Sequence, residues 1–440
     1  MNRIKGTYIK FYYYFLFILI LIGINISNAQ NLNFRVSSFF YSFERYDSLS
    51  PSGEKYSQKF LKGYQNLLFD ITKKDWSFNT NFQIEEDVIG KTGKGFNYRF
   101  YSVFIKRNNI FNLIDLKVGR QYVSAGTGRG TIDGLFLKLK LGKEKEYQLK
   151  SYIGANTPFS YDFSNYGKLS ENYSFGAQFS YYGVKDLSLS LSYFVKRSKP
   201  ESYYTIRPDS IFNPKELLID IDEFDSKLTG IDLVYDKKYL SFFSKLYYDI
   251  NLKRFYRCEV NLSYNIFKTL RLNVGYNYRE PQISYNTIFW VFNHKQTQEL
   301  EGGVDFILKE KFNIYTRISN VFYNNDNSLK ISIGFLHPSY GISVIKHTGY
   351  SGESEGIYGY FNYEIINKKL SLTSGLNFSS YKLDNYLNSR ETAIAGIIGF
   401  VYCPINKLNL NMQGQFIKNR IYKFDTRILV GISYWLFTKL

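Results

Sequence analysis

Several groups of residues in this sequence have types and spacings that could do chemistry. Gly126-Thr127-Gly128-Arg129-Gly130 offers a run of backbone amides around one guanidinium. A phosphate cradle needs, in addition, a Lys-Ser/Thr pair and a helix N-terminus to supply the dipole. Neither follows here. The run reads instead as a glycine-rich turn after a strand. It either folds inward, so that Gly126, Gly128, Arg129 and Gly130 narrow an opening, or forms a flexible surface turn. His347, Ser351 and Glu353 or Glu355 bring a base, a hydroxyl and acids close together in the chain. A nucleophile needs its base within hydrogen-bond reach, and a barrel-borne lipid hydrolase is the reaction class this grouping would suit. The His-to-Ser spacing does not match the short His-x-Ser pattern of such enzymes, so no catalytic residue is assigned and no enzyme is expected. Asp220, Asp222, Glu223 and Asp225 could bind Ca²⁺ with loop carbonyls, but their spacing fits no EF-hand and suits a solvated acidic loop. Two cysteines, Cys258 and Cys403, and three histidines, His294, His337 and His347, make neither a disulfide framework nor a zinc pattern. No metal and no cofactor is expected.

The remaining charged residues alternate with apolar ones, and that alternation identifies the elements that carry them. In Ile114-Asp115-Leu116-Lys117-Val118-Gly119 and again in Leu135-Phe136-Leu137-Lys138-Leu139-Lys140-Leu141, every second residue is apolar. Period two is the mark of a strand with two unlike faces. The pattern recurs as Leu187, Leu189, Leu191, Tyr193 and Val195 against Ser188, Ser190 and Ser192, and as Leu270, Leu272, Val274, Tyr276 and Tyr278 against Arg271, Asn273, Gly275 and Asn277. No helical segment is left to cover so many apolar faces. A closed antiparallel transmembrane β-barrel resolves this, with Leu, Ile and Val turned to lipid and Lys, Asp and Gln turned to an aqueous interior.

Strands are joined alternately by tight turns and longer polar loops. Lys73-Lys74-Asp75, Gly142-Lys143-Glu144 and Val184-Lys185-Asp186 are tight; the segments around Pro51 and Pro281 and from Lys199 to Ser226 are long. The count is about 22 strands, with 18–22 compatible with the pattern. Short turns belong on the periplasmic side and longer loops outside. The tail Ile428, Val430, Ile432, Tyr434, Leu436 is apolar at alternate positions, as a strand that closes the barrel must be.

Composition agrees. The chain has 440 residues, 19% of them aromatic, which suits belts of rings at two water–lipid interfaces. Mean hydropathy is −0.28, so no apolar helix beyond the N-terminus spans a membrane; barrel strands, half polar, score weakly by this measure. The formal charge is +18. Its basic residues are scattered along strands and turns with no Lys/Arg-rich run, which argues against nucleic acid and for a polar lumen, outer-membrane lipid and lipopolysaccharide as electrostatic partners. Residues 1–29 read as a secretory signal peptide: Arg3, Lys5 and Lys10, an apolar run from Phe11 to Ile22, then Ser27-Asn28-Ala29, with cleavage before Gln30. Residues 30–440 form the barrel. Export and the strand pattern together indicate the outer membrane of a double-membrane bacterium, with periplasmic chaperones and the barrel-assembly machinery as further partners.

By parity, the lumen receives Arg99, Asp115, Lys117, Gln121, Lys138, Lys140, Lys150, Lys245, Arg257, Arg271, Arg279, Arg317 and Arg427. Its acids include Glu85, Asp232, Glu259, Asp305 and Asp425. Positive charge exceeds negative, which biases a pore toward anions. Parity turns Arg120 outward, opposite to Lys117 and Gly119, so it lies above the lipid or a bulge re-aims it inward.

The leader, the strand–turn–strand–loop pattern and the last strand resemble a bacterial outer-membrane porin. Locally, Val118-Gly119-Arg120-Gln121, Gly126 to Gly130 and Asp133-Gly134 are similar to the Gly-Arg-Gln…Gly…Arg motif of porin-like barrels of the alginate-export type. The resemblance implies passive diffusion or export of small polar or anionic solutes. The alternative is a non-conducting barrel serving as a surface anchor or as a secretion or adhesion accessory, which the long Lys199–Ser226 segment would suit.

Overall fold

The computed structural model describes residues 31–47, 57–88, 97–164, 166–199, 202–208, 213–219, 224–281, 295–309, 311–350, 352–382 and 389–439. The leader, His294, Ser351, Asp220, Asp222 and Glu223 lie outside them. In chain order the strands are β1 (Asn31–Asp47), β2 (Ser57–Lys73), β3 (Trp76–Asp87), β4 (Asn97–Ile110), β5 (Ile114–Ala125), β6 (Gly128–Leu141), β7 (Tyr147–Asn156), β8 (Asn172–Tyr181), β9 (Leu187–Ser198), β10 (Tyr203–Pro208), β11 (Pro214–Ile219) and β12 (Phe224–Lys237). They continue as β13 (Leu240–Asp249), β14 (Arg254–Phe267), β15 (Leu270–Arg279), β16 (Thr297–Leu308), β17 (Phe312–Tyr323), β18 (Asp326–His337), β19 (Tyr340–Gly349), β20 (Glu353–Ile366), β21 (Leu370–Lys382), β22 (Glu391–Ile405), β23 (Leu408–Lys418) and β24 (Tyr422–Lys439).

All except β10 and β11 belong to one 22-stranded antiparallel sheet in which each strand pairs with its neighbours in sequence and β24 pairs with β1. The sheet is therefore a closed barrel with the strand number that the alternation implies. Its seam runs from Asn31 opposite Lys439 to Tyr46 opposite Phe424 without a break in register. Continuity here is a physical requirement. In hydrocarbon an unpaired backbone N–H or C=O costs several kcal/mol, and closure leaves none at an edge. Within Lys199–Ser226, expected to be loop throughout, β10 and β11 form a separate hairpin with Tyr203 opposite Ile219 and Pro208 opposite Pro214. Prolines at one end mask its strand character in the sequence, because they mark an edge or a turn.

The two faces of the wall are chemically distinct. Ile318, Ile333, Val274, Leu300 and Ile342 are half exposed, as are Ile428, Val430 and Ile432 on the closing strand. An apolar surface this extensive is not tolerated in water; against acyl chains it needs no cover. The other face carries cross-strand polar contacts. Ser433 donates to Ser37 across the seam, Asn273 donates to Asp305, and Ser263 donates to Asn273. The short-turn end has tight connections that place a residue in the left-handed region, such as Lys74 (φ 52°) in the two-residue turn between β2 and β3 and Asp186 (φ 64°) just before β9. Cys258 and Cys403 are free thiols. Substituting Ile318, mid-strand on the lipid face of β17, by Lys should lower the folding free energy into phospholipid bilayers by about 2–4 kcal/mol. Urea titration of vesicle-inserted protein reads this. An unchanged midpoint would show that this face does not meet hydrocarbon.

Candidate functional site

Among the described residues the barrel wall is interrupted where β5 leaves β4. β4 and β5 stay paired only as far as Val103 opposite Arg120. β5 and β6 remain paired to their tip, Ala125 opposite Gly128, while β6 leaves β7 after Ile132 opposite Asn156. The hairpin from Gln121 to Thr131 therefore leaves the wall as a unit. It bends inward, since its tip rests on the lumen face of strands farther round the barrel. The amide of Thr127 donates to Ser192 Oγ on β9 at 3.1 Å. A Cβ on Gly230 of β12 would meet the Thr127 methyl at 2.5 Å. Ser192 is a lumen residue because Leu191 and Tyr193, on either side, are exposed outward.

Glycines permit the bend. Gly119, Gly134 and Gly154 are cross-strand neighbours on β5, β6 and β7. A Cβ at these positions would lie 2.3 Å from Val103 O, 2.1 Å from Ile153 O and 2.6 Å from Asp133 O respectively. The backbones approach too closely there for any side chain. Gly119 also takes φ +125°, a value L side chains rarely adopt. At the tip, Gly126 (φ +59°) sits against Ser192, and Gly128 sits against Tyr152 and Phe194.

Beneath the hairpin Val123, Ala125 and Ile132 pack on Tyr152, Phe194 and Leu228, the one hydrophobic core cluster among the described residues. Burial of these apolar side chains holds the hairpin down at roughly 25 cal/mol per Å² removed from water.

Arg120 occupies the gap the hairpin leaves. It keeps the parity of exposed Val118, yet is only 1% exposed. Residues 157–164 and 166–171 of the loop after β7 lie in the wall in front of it. Nε and Nη2 donate to the two carboxylate oxygens of Asp133 at 2.8 and 3.1 Å. Nη1 donates to Tyr161 O at 2.6 Å and Phe100 O at 3.2 Å. Nη2 also donates to Asp162 O at 2.6 Å and to the Tyr166 hydroxyl at 2.5 Å. The guanidinium lies over the Phe163 ring, 4.2 Å from its centroid. A buried cation is tolerable only when its donors are satisfied and its charge is paired, and both conditions hold. Thr157 donates to Asp133 Oδ2 as well, at 3.1 Å. Burial, and next the neighbouring Asp133 carboxylate, raise the Tyr166 phenol above its ordinary value, so it stays protonated. Of the two sequence expectations for Arg120, the inward re-aiming by a bulge does not occur, and the outward parity is kept. The residue points outward, into protein.

The parity set divides in two. Most arginines are neutralised along the lumen wall: Arg257 by Glu259 at 2.5 Å, Arg317 by Asp305 at 2.6 Å, Arg427 by Asp425 at 2.9 Å and Arg99 by Glu85 at 3.7 Å. Arg271 donates to Asn265 and Arg279 to Asn277, while Lys245 stands over the Phe243 ring. On the short-turn side of the hairpin, Lys140 pairs with Asp115 at 2.7 Å. Lys106 lies opposite Lys117, and Lys138 opposite Lys150. Among the described residues none of these last four has an ion-pair partner. Lys117 is held between the rings of Phe104 and Phe136, 5.3 Å from each. Gln121 does not line the lumen. It is 1% exposed and donates to Lys117 O and Gly134 O, because it sits where the hairpin turns away from the wall. Gly126, Gly128, Arg129 and Gly130 all lie at the inward tip. Of the residues considered for hydrolysis, Glu353 and Glu355 are engaged by Arg390, and Glu355 also by Lys346. Sequence reasoning missed Asp133, Tyr161, Asp162 and Tyr166 as partners of Arg120; the opposed Gly119-Arg120 and Asp133-Gly134 pairs were the available signal.

A family model described as LptD, LPS transport system D, matches residues 234–312, which are wall strands from the end of β12 to the start of β17. No curated protein sequence matches the chain. Among solved structures, the P pilus usher (PapC) translocation pore is similar at 9% identity and a TM-score of 0.46, covering 92% of this chain and 99% of that one. Acinetobacter baumannii OccAB4 gives 9%, 0.44, 94% and 100%. Pseudomonas aeruginosa OccK7 (OpdD) gives 10%, 0.42, 92% and 99%.

Arg120→Ala should remove the guanidinium's hydrogen bonds to Asp133 and to three carbonyls, at a cost of about 3 kcal/mol. Arg120→Lys, which keeps the charge and loses the fork, should fall between it and the natural chain. Hydrogen exchange at the Thr127 amide should quicken in step. Protection there as strong in Arg120→Ala as in the natural protein would show that Arg120 does not hold the hairpin.

Proposed function

We propose that the chain is an outer-membrane channel for passive diffusion or export of small polar solutes, with a preference for anions. The observation that carries this reading is the inward hairpin. A segment that leaves the wall to cross part of the lumen narrows a path; a barrel that served only as an anchor gains nothing from it. The lipid-facing apolar surface and the export leader read from the sequence support the outer membrane as its location, with lipid, lipopolysaccharide and the assembly machinery as partners. The Gly-Arg-Gln likeness to alginate-export-type porins supports the channel class, since those residues build the support of the hairpin. The reading assigns no catalysis and no cofactor.

Selectivity follows from charge. Lys106, Lys117, Lys138 and Lys150 face the interior on the wall below the hairpin, whereas most arginines elsewhere are compensated by acids. A cluster of uncompensated cations beside a low-dielectric constriction raises the local concentration of anions. Sideways delivery of a lipid-anchored molecule would need a parted seam, and β1 and β24 are paired from end to end.

Planar-bilayer conductance tests the proposal. The refolded protein should pass current that reverses on the anion-selective side in a salt gradient. Lys138→Glu with Lys150→Glu should move that reversal toward cations. Removing 124–129 should raise unitary conductance several-fold. Folded protein that neither conducts nor swells liposomes in small sugars and anions would favour the anchor.

A further inference from the structure

On the long-loop side of the hairpin lies a cavity of about 560 Å³, within the range of small-molecule sites. Its walls come from three places: the start of β6, loop residues 157–161 and 166–171 that Arg120 pins, and the ends of β7, β8 and β9. Arg129, Lys168, Lys196 and Lys199 line it, against a single acid, Glu171. Among the described residues Arg129, Lys168 and Lys196 have no ion-pair partner. Lys196 shares the parity of Ser192 and Phe194 on β9, so the cavity opens on the lumen side of the wall and away from lipid.

The cavity is built in advance of any ligand. Asn156 donates to Asn172 Oδ1 and to Arg197 O, each at 2.7 Å, and Ser174 donates to Asn156 Oδ1 at 2.5 Å. The Lys199 amide donates to Glu171 O and closes the rim. Tyr152, 3% exposed, forms the floor between Gly128 and Gly176, and its hydroxyl has no hydrogen-bond partner among the described residues. A prebuilt pocket with three uncompensated cations, amide and hydroxyl groups and an aromatic floor is suited to a compact solute with more than one negative charge. The side chains that make the pocket cationic come from different elements, so a ligand bridging them gains what no single surface lysine offers.

We propose that this cavity is a binding site for a small soluble polyanion bearing carboxylate or phosphate groups, captured at the outer mouth before the hairpin. Its place in transport rests on the channel reading above; binding itself does not. Isothermal titration calorimetry on the refolded full chain in detergent tests it with citrate and with inorganic phosphate, and with glucose as the neutral control. Saturable citrate binding is expected, with none for glucose, and phosphate shows whether phosphate oxygens substitute for carboxylates. Lys168→Gln combined with Lys196→Gln should weaken binding at least tenfold. Lys330→Gln, on a distant wall strand, should leave it unchanged; circular dichroism confirms that both variants fold. Absence of saturable binding by either anion overturns the proposal. So does equal weakening by Lys330→Gln, which would mean diffuse attraction by the lumen. Conductance without binding would overturn this site and leave the channel standing, whereas binding without conductance would do the reverse.

Discussion

Backbone hydrogen bonding in hydrocarbon is the constraint on which the rest of this structure depends. A membrane offers no water to satisfy an N–H or C=O, so every strand must find two neighbours and the sheet must close. The β1–β24 register, continuous from Asn31 to Tyr46, is the clearest expression of that requirement. The alternation along each strand follows from it: once the sheet is closed, one face meets lipid and the other encloses polar groups.

The inward hairpin violates the same constraint locally, and the surrounding residues repair the violation. When β5 turns away after Arg120, the upper part of β4 loses its partner. The loop after β7 takes its place through Tyr161. Tyr161 O accepts the amide of Phe100, and the Phe100 carbonyl accepts from Arg120. The same Arg120 holds Asp133 on β6 and the carbonyls of Tyr161 and Asp162. One guanidinium thus ties the departing hairpin to the loop that fills its gap. Burying it is costly in isolation, and that cost is offset only because so many acceptors converge on it. The glycine row at 119, 134 and 154 provides the other half of the device, a line along which three strands can bend together.

Charge inside the barrel is organised by the same break. Where the wall is continuous, arginines and acids on adjacent strands neutralise one another, as at Arg317 and Asp305. Below the hairpin Lys117 rests between Phe104 and Phe136, and Lys106, Lys138 and Lys150 stay without acids. Above it Arg129, Lys168 and Lys196 surround the cavity. The hairpin therefore lies between two groups of cations that have no acid partner among the described residues.

The sequence alone determined the class of the fold, the number of wall strands and the face to which most side chains turn. These depend on a repeat of two residues, which is local. Parity gave the outward direction of Arg120 but not the loop that covers it, and at Gln121, where the strand leaves the sheet, it gave a lumen position for a side chain that is buried. It also passed over β10 and β11, whose prolines resemble loop. Gly119, Gly134 and Gly154 are visible as letters, but that they stand side by side depends on strand register. The partners of Arg120 lie as far as 46 residues along the chain. Only tertiary structure could decide that the glycine-rich turn folds in rather than out, because that choice is fixed by contacts with Ser192, Phe194 and Leu228 on strands that the local pattern does not relate to it.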